Sequence, residues 1–231
     1  MDTTSVYQEH VNALTDSPDF RRFENGELSS DQYDRFILNV VRTHAKSPQL
    51  LAFLFSLAPP AATASVRGNM LEELGVADEH GAAHPALLEQ LLQGASLGHC
   101  SAEVRSLADL DMRRLVTGPL LYETLVQLGL SATIEVTAFE YMLSRVADRM
   151  AKALATHRGL GAHAIEWFTH HGTVDVGHAE VGIRNLDSYI DYYAIDEPDA
   201  TTILEITMRE NAFLKRYFAD VTLAEHAEQS R

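Results

Sequence analysis

The stretch from Ser131 to about Ala155 limits the fold more than any other part of this chain. It holds neither glycine nor proline and is mostly apolar or small as far as Val146, so it reads as one long, largely buried helix. Gly159 and Gly161 end it. A helix that is apolar over most of its circumference has to be enclosed by other elements, and the rest of the chain supplies helices to do so. A first helix is expected over Thr3 to Leu14, closed by Asp16-Ser17-Pro18, with a short aromatic segment (Phe20, Phe23) and an Asn25-Gly26 turn after it. Ser29, Ser30 and Asp31 cap a helix carrying Tyr33, Phe36, Ile37, Val40 and Val41, and Pro48 restarts the chain before Leu50 to Leu57. Pro59-Pro60 opens a helix through Asn69, Glu72 and Glu73 that Gly75 stops, and His84-Pro85 begins the next. A mixed stretch with Leu110, Met112 and Leu115 leads to Pro119, which precedes a helix through Leu128 broken by Gly129. A further helix bears His171, Asp175 and His178 and runs to Tyr192 or Tyr193. Glu197-Pro198-Asp199 starts the last, through Ile203, Ile206, Met208, Phe213, Leu214 and Phe218. Alternating strand patterns are hard to find. The expectation is one all-α domain over 1–231, a bundle of about seven helices, with a polar tail over 224–231 that frays.

Composition removes several functional classes. Apolar residues make up 46% of the 231 residues and charged ones 22%, enough for a core and too little charge for disorder. A formal net charge of −15 opposes nucleic-acid and anionic-membrane partners, and a highly anionic substrate unless a local basic pocket exists. Cys100 is the single cysteine, which excludes a disulfide framework, a cysteine zinc site and a thiolate-ligated cluster. With no signal pattern and no apolar run of spanning length, a cytoplasmic protein with no membrane partner is expected.

His171, Asp175 and His178 stand at positions i, i+4 and i+7, so one helical face carries two imidazoles and a carboxylate. Glu135 and Glu140 lie in the long apolar helix, where an unpaired carboxylate costs several kcal/mol. They are about 140° apart around it and cannot both face one centre. Glu73 follows Asn69 by four on one face, Glu72 beside it reads as solvent-facing or supporting, and His84 opens a helix. Oxygen and imidazole donors without thiolate suit iron or manganese better than structural zinc. The same residues also fit a bundle with scattered polar core positions.

The order Asn69-Met70-Leu71-Glu72-Glu73-Leu74-Gly75, His84-Pro85-Ala86-Leu87, a buried glutamate, then His-x3-Asp-x2-His resembles the haem-oxygenase-like diiron oxidases, from Gly26-Glu27-Leu28 through His178. The resemblance implies a haem-oxygenase-like (thiaminase-like) bundle. It also implies a non-haem diiron centre held by Glu73, His84, Glu140, His171, Asp175 and His178, with Glu140 preferred to Glu135 and His84 to His80. His170 is out of phase with Asp175 and is set aside. The activity implied is activation of dioxygen, as co-substrate, to oxidise a small amino-acid- or fatty-acid-like molecule by N-oxygenation, oxidative C–C cleavage or desaturation. It further implies two iron ions per chain, one held weakly because Asp175 has to shift, an electron donor as partner, and a homodimer. Substrate contacts are assigned to Arg184, Tyr141 and Phe36, with Arg42 and Arg67 as further carboxylate anchors and Tyr33 and Trp167 as further aromatic wall.

Departures from the family pattern narrow the reading. Phe20 and Met150 stand where the para-aminobenzoate-forming relatives use a tyrosine and a lysine, so self-sacrificing chemistry is not expected. Cys100 falls outside the pocket helices, against a thiaminase-like hydrolase, and His10 keeps a haem ligand in play without explaining the carboxylates. A thiaminase-like hydrolase or a metal-free binding protein of the same fold is the alternative.

Overall fold

The computed structural model describes residues 2–76, 81–117, 122–209 and 212–219. These form α1 (Thr3–Asp16), α2 (Pro18–Asn25), α3 (Ser30–His44), α4 (Ser47–Leu57), α5 (Thr63–Glu73), α6 (His84–Gly94), α7 (Ser101–Thr117), α8 (Leu125–His157), α9 (Glu166–Tyr192), α10 (Glu197–Met208) and α11 (Ala212–Phe218), with a short 3₁₀ turn at Gly98–Cys100. The all-α expectation holds, and among the described residues there is no strand. The helices outnumber the seven expected. The aromatic segment at Phe20 and Phe23 is a helix of its own, capped by the Ser17 hydroxyl on Phe20 N–H with Pro18 in its first turn. The mixed stretch around Met112 is also helical. His80, Pro119 and the 224–231 tail lie outside the described residues.

Two helices organise the rest. α8 is 33 residues long, and a capping box starts it: the Thr124 hydroxyl accepts from Gln127 N–H, and the Gln127 side chain accepts from Thr124 N–H. It runs straight through Gly129, expected to break it. A β-carbon there would collide with the Tyr189 hydroxyl and Leu57, so this glycine permits a close helix approach rather than a turn. α9, 27 residues long, returns antiparallel beside α8, the most extensive helix pair in the molecule. Gly129 faces Tyr189, Thr137 faces Gly182 and Asp148 faces Gly172, which sets the register and brings Glu140 level with His178. α4 and α10 pack on α8, α6 on α9, and α3 carries α6, α7 and α11.

An aromatic cluster closes the far end. Phe23 lies 4.3 Å from Phe36 and 5.9 Å from Phe218, ring centre to ring centre, and the Tyr33 hydroxyl donates to Phe23 carbonyl oxygen. Phe23 is fully buried. Phe23→Ala is therefore expected to cost about 3–5 kcal/mol of stability, measured as a drop in the urea midpoint at constant slope. A cost under about 1 kcal/mol would mean the cluster collapses around the gap.

Candidate metal centre

The last turn of α5, the first of α6, the middle of α8 and the first half of α9 meet in the interior. α5 brings Asn69, Glu72 and Glu73, α6 brings His84, α8 brings Glu140, and α9 brings His170, His171, Asp175 and His178. Glu73, His84, His171 and Asp175 are buried. Glu73, His84 and His171 each offer one ligand atom, and these lie within 4.8 Å of one another. His84 Nδ1 is 2.9 Å from Glu73 Oε1 without hydrogen-bond geometry, so the two atoms converge on a common point rather than on each other. His178 stands next to this group, its Nδ1 3.4 Å from Asp175 Oδ1 and its Nε2 2.7 Å from Glu72 Oε2. The second carboxylate oxygen of Asp175 has no hydrogen-bond partner.

Neighbouring groups fix these side chains. His171 Nδ1 is 2.7 Å from the Trp167 carbonyl oxygen. A carbonyl only accepts, so Nδ1 carries the proton and Nε2 keeps the lone pair a metal needs. Ser47 donates to Glu73 Oε2 at 2.5 Å, and the Asn69 amide donates to Glu140 Oε1 at 2.5 Å. His84 Nε2 is 3.1 Å from His170 Nε2, which leaves Nδ1 as the ring nitrogen turned to Glu73.

The electrostatics ask for a cation. Burial, then the charge of Asp175, pushes the Glu140 carboxyl up to about 8 despite His178 and the Asn69 bond. Burial likewise lifts Asp175 to about 6, and it holds His171 well below the ordinary imidazole range. Burial works against a charged His178 too, but the bond to Asp175 and the charges of Glu140, Asp175 and Glu72 outweigh it and raise that ring to about 9. Buried Glu73 and Asp175, half-buried Glu140 beside them, and unbonded donor atoms on His84 and Asp175 fit a metal centre of oxygen and nitrogen donors.

Two cavities open on the group. One of about 370 Å³ is walled by Leu50, Leu51, Val136, Phe139 and Leu143 and reaches Glu73, Glu140, His171 and Asp175. The other, of about 250 Å³, reaches Glu140, His178 and Glu72.

Of the expected ligand set, Glu73, His84 and His171 converge, Asp175 and His178 adjoin them, and Glu140 lines both cavities. Glu135 does not join them: it lines the larger cavity and accepts from Arg216 at 2.7 Å. The substrate assignments need correction. Arg184 is exposed and lines neither cavity, because six residues beyond His178 is about 120° around α9. Tyr141 is buried with its hydroxyl on Gln8 and Arg145 over its ring, and Phe36 belongs to the aromatic cluster; neither lines these cavities. Arg67 is likewise away from both. His10 sits edge-on to Phe213, and Cys100 in the 3₁₀ turn has its thiol pushed up by burial; both are remote from the cavities.

Glu72, read from sequence as solvent-facing or supporting, and His170, set aside as out of phase, both take part, and His44 was not singled out. Glu72 and His170 touch His178 and His84 directly. His44 lines the larger cavity, packs on Trp167 and holds the Tyr217 hydroxyl at 2.7 Å, and burial keeps its pKa down at about 3. Its signal was readable, since Tyr33, Ile37, Val40 and His44 continue one helical stripe.

The sequence model of a family described as iron-containing redox enzymes matches residues 34–209 of the 231. No curated protein matches the chain.

Proposed function

Because the chain belongs to the family of iron-containing redox enzymes, we propose that it is a non-haem diiron oxidoreductase that uses dioxygen to oxidise a small amino-acid- or fatty-acid-like molecule. The observation that carries this is the convergence of Glu73, His84 and His171 within 4.8 Å, flanked by Asp175 and His178, at the inner end of the larger cavity. Glu73, His84 and His171 would hold one ion, and Glu140, Asp175 and His178 the other, with Glu72 placed to share the second. Two ferrous ions would supply electrons and open coordination positions for dioxygen, which reacts slowly with closed-shell organic molecules by itself.

The chain's own groups do the rest. The Trp167 carbonyl holds the His171 ring in the tautomer that presents Nε2, and Ser47 and Asn69 hold one oxygen each of Glu73 and Glu140. Leu50, Leu51, Val136, Phe139 and Leu143 keep water from the inner cavity and bind the apolar part of a substrate against the centre. His44 lines the same cavity with its Nε2 2.7 Å from the Tyr217 hydroxyl.

Anaerobic titration with Fe(II), followed by metal analysis of the desalted protein, tests the reading. About two ions per chain are expected, with a transient visible absorption when air is admitted. A protein that retains no iron, or a His178→Ala variant with unchanged iron content, would overturn it.

A further inference from the structure

The hydrogen bond between Tyr217 and His44 has no part in holding a metal or a substrate. Tyr217 is fully buried on α11, and its hydroxyl lies 2.7 Å from His44 Nε2 on α3. Among the described tyrosines this pairing stands apart. Tyr7, Tyr33, Tyr189 and Tyr193 donate to backbone carbonyls, Tyr141 donates to the Gln8 side chain, and Tyr122 meets the Thr207 hydroxyl. None of those oxygens takes up a proton near neutral pH, whereas an imidazole does. His44 also packs on Trp167, 4.8 Å between ring centres. Trp167 in turn lies 4.2 Å from the His171 ring and holds its Nδ1 through the backbone carbonyl. Four rings therefore run in contact from a donor of the metal centre to a buried phenol: His171, Trp167, His44 and Tyr217. Indole and phenol are the aromatic side chains most easily oxidised by one electron. A buried phenol does so only if its proton leaves with the electron, since the phenol radical cation is a strong acid and a new buried charge is costly. Burial keeps His44 neutral, with its pKa down at about 3, so the ring has a free lone pair; the radical cation is a stronger acid still.

We propose that Tyr217, His44 and Trp167 form a redox relay in which Tyr217 gives up one electron toward the metal centre and His44 takes its proton. The electron passes through Trp167, which neither gains nor loses one overall. The O–H bond of Tyr217 breaks, the proton ends on His44 Nε2, and the side chain is left as a neutral phenoxyl radical. The oxidant is the iron centre once dioxygen has oxidised it, and that centre is reduced by one equivalent. A one-electron reductant from solution, of the ascorbate class, returns the electron, and His44 returns the proton, so Tyr217 is not consumed. The relay serves turnovers without substrate, in which it draws oxidising equivalents away from the ligands. It rests on the chain's own rings; only the identity of the oxidant rests on the diiron reading.

Trp167 is the sole tryptophan, so a laser pulse at wavelengths that tyrosine does not absorb ionises this one side chain in the full-length, metal-free protein. The visible absorption of the tryptophanyl radical is expected to decay as the violet absorption of a tyrosyl radical rises, at a rate independent of protein concentration. Tyr217→Phe, which keeps the ring, is expected to abolish the rise. His44→Gln, which keeps a hydrogen bond but takes no proton, is expected to slow it at least tenfold, and Tyr33→Phe to leave it unchanged. No rise in the unaltered chain, a rise that survives Tyr217→Phe, or an equal rate in His44→Gln overturns the relay. The oxidant is tested in iron-loaded protein mixed with air without substrate and frozen at intervals. A tyrosyl electron paramagnetic resonance signal is expected, and its loss in Tyr217→Phe at unchanged iron content. A positive flash result with no such signal overturns the centre as the oxidant. Failure of the chain to take up iron would leave the flash result standing, so the two readings fail separately.

Discussion

Replacing His171 by alanine is expected to reduce the iron retained after Fe(II) loading from about two ions per chain to about one, with the helical fold intact. Glu73, His84 and His171 are the three donors that lie within 4.8 Å of one another, and two of them without the third make a poor site for a divalent ion. Loss of a supporting partner alone typically weakens metal binding about 10–100-fold, and loss of a direct ligand exceeds that. The lost ring opens onto a cavity already present, and the Trp167 carbonyl it releases can be met by water. Asp175→Ala is expected to behave differently. Asp175 sits with His178 rather than in the three-donor group, so one ion stays tightly held and the second becomes easily stripped. His170→Ala, which removes only the group on His84 Nε2, is expected to keep both ions at about 10–100-fold lower affinity. Metal analysis after graded exposure to chelator separates the three variants. A His171→Ala protein holding both ions would take His171 out of the centre, and an Asp175→Ala protein holding none would make the centre one cooperative unit.

What could be read from the sequence here follows from how local each signal was. The i, i+4, i+7 spacing of His171, Asp175 and His178 needs only a helix to become one face, and α9 is a helix throughout that stretch. The length and apolarity of the Ser131–Ala155 stretch needed no partner to declare α8. Gly129 misled because a glycine's role depends on what lies beside it, and Tyr189 and Leu57 are 60 and 72 residues away in sequence. The same distance problem hid part of the larger cavity: Arg42 is named from sequence as a carboxylate anchor, but Arg114 and Arg216 look like ordinary surface residues singly, and only the packing of α3, α7 and α11 brings the three to one wall. Arg184, chosen for sharing a helix with the ligands, fails on angle alone. Glu72 was legible as a carboxylate beside Glu73, but its pairing with His178 depends on how α5 meets α9.

Metal affinity is expected to fall about a hundredfold for each pH unit below 8, down to about pH 6.5. Ligands bind as carboxylate and as imidazole with a free lone pair, so every proton the metal-free centre holds must leave on loading. At pH 7 the Glu140 carboxyl, raised to about 8, and the His178 ring, raised to about 9, are both mostly protonated. About two protons per chain should therefore appear when metal is added, which a pH-indicator dye in weak buffer counts directly. The same groups make the metal-free protein lose stability as pH rises through this window. Glu140 and His178 both titrate higher in the folded chain than in the unfolded one, so their contributions are complete at low pH and vanish as pH passes the folded value. His171 and His44 are lowered instead; their contribution grows with pH and at 6.5, where unfolded imidazole is half deprotonated, is within about 0.4 kcal/mol each of complete. Above that the declining contributions dominate, at up to about 2 kcal/mol each between pH 6.5 and 8. The metal-free melting temperature should drop across this range while the loaded protein, with Glu140 and His178 already deprotonated, gains relative to it. A metal-free protein whose melting temperature rises from pH 6.5 to 8, with no proton released on loading, would mean that Glu140 and His178 are not held protonated beside one another and are not the groups a metal displaces protons from.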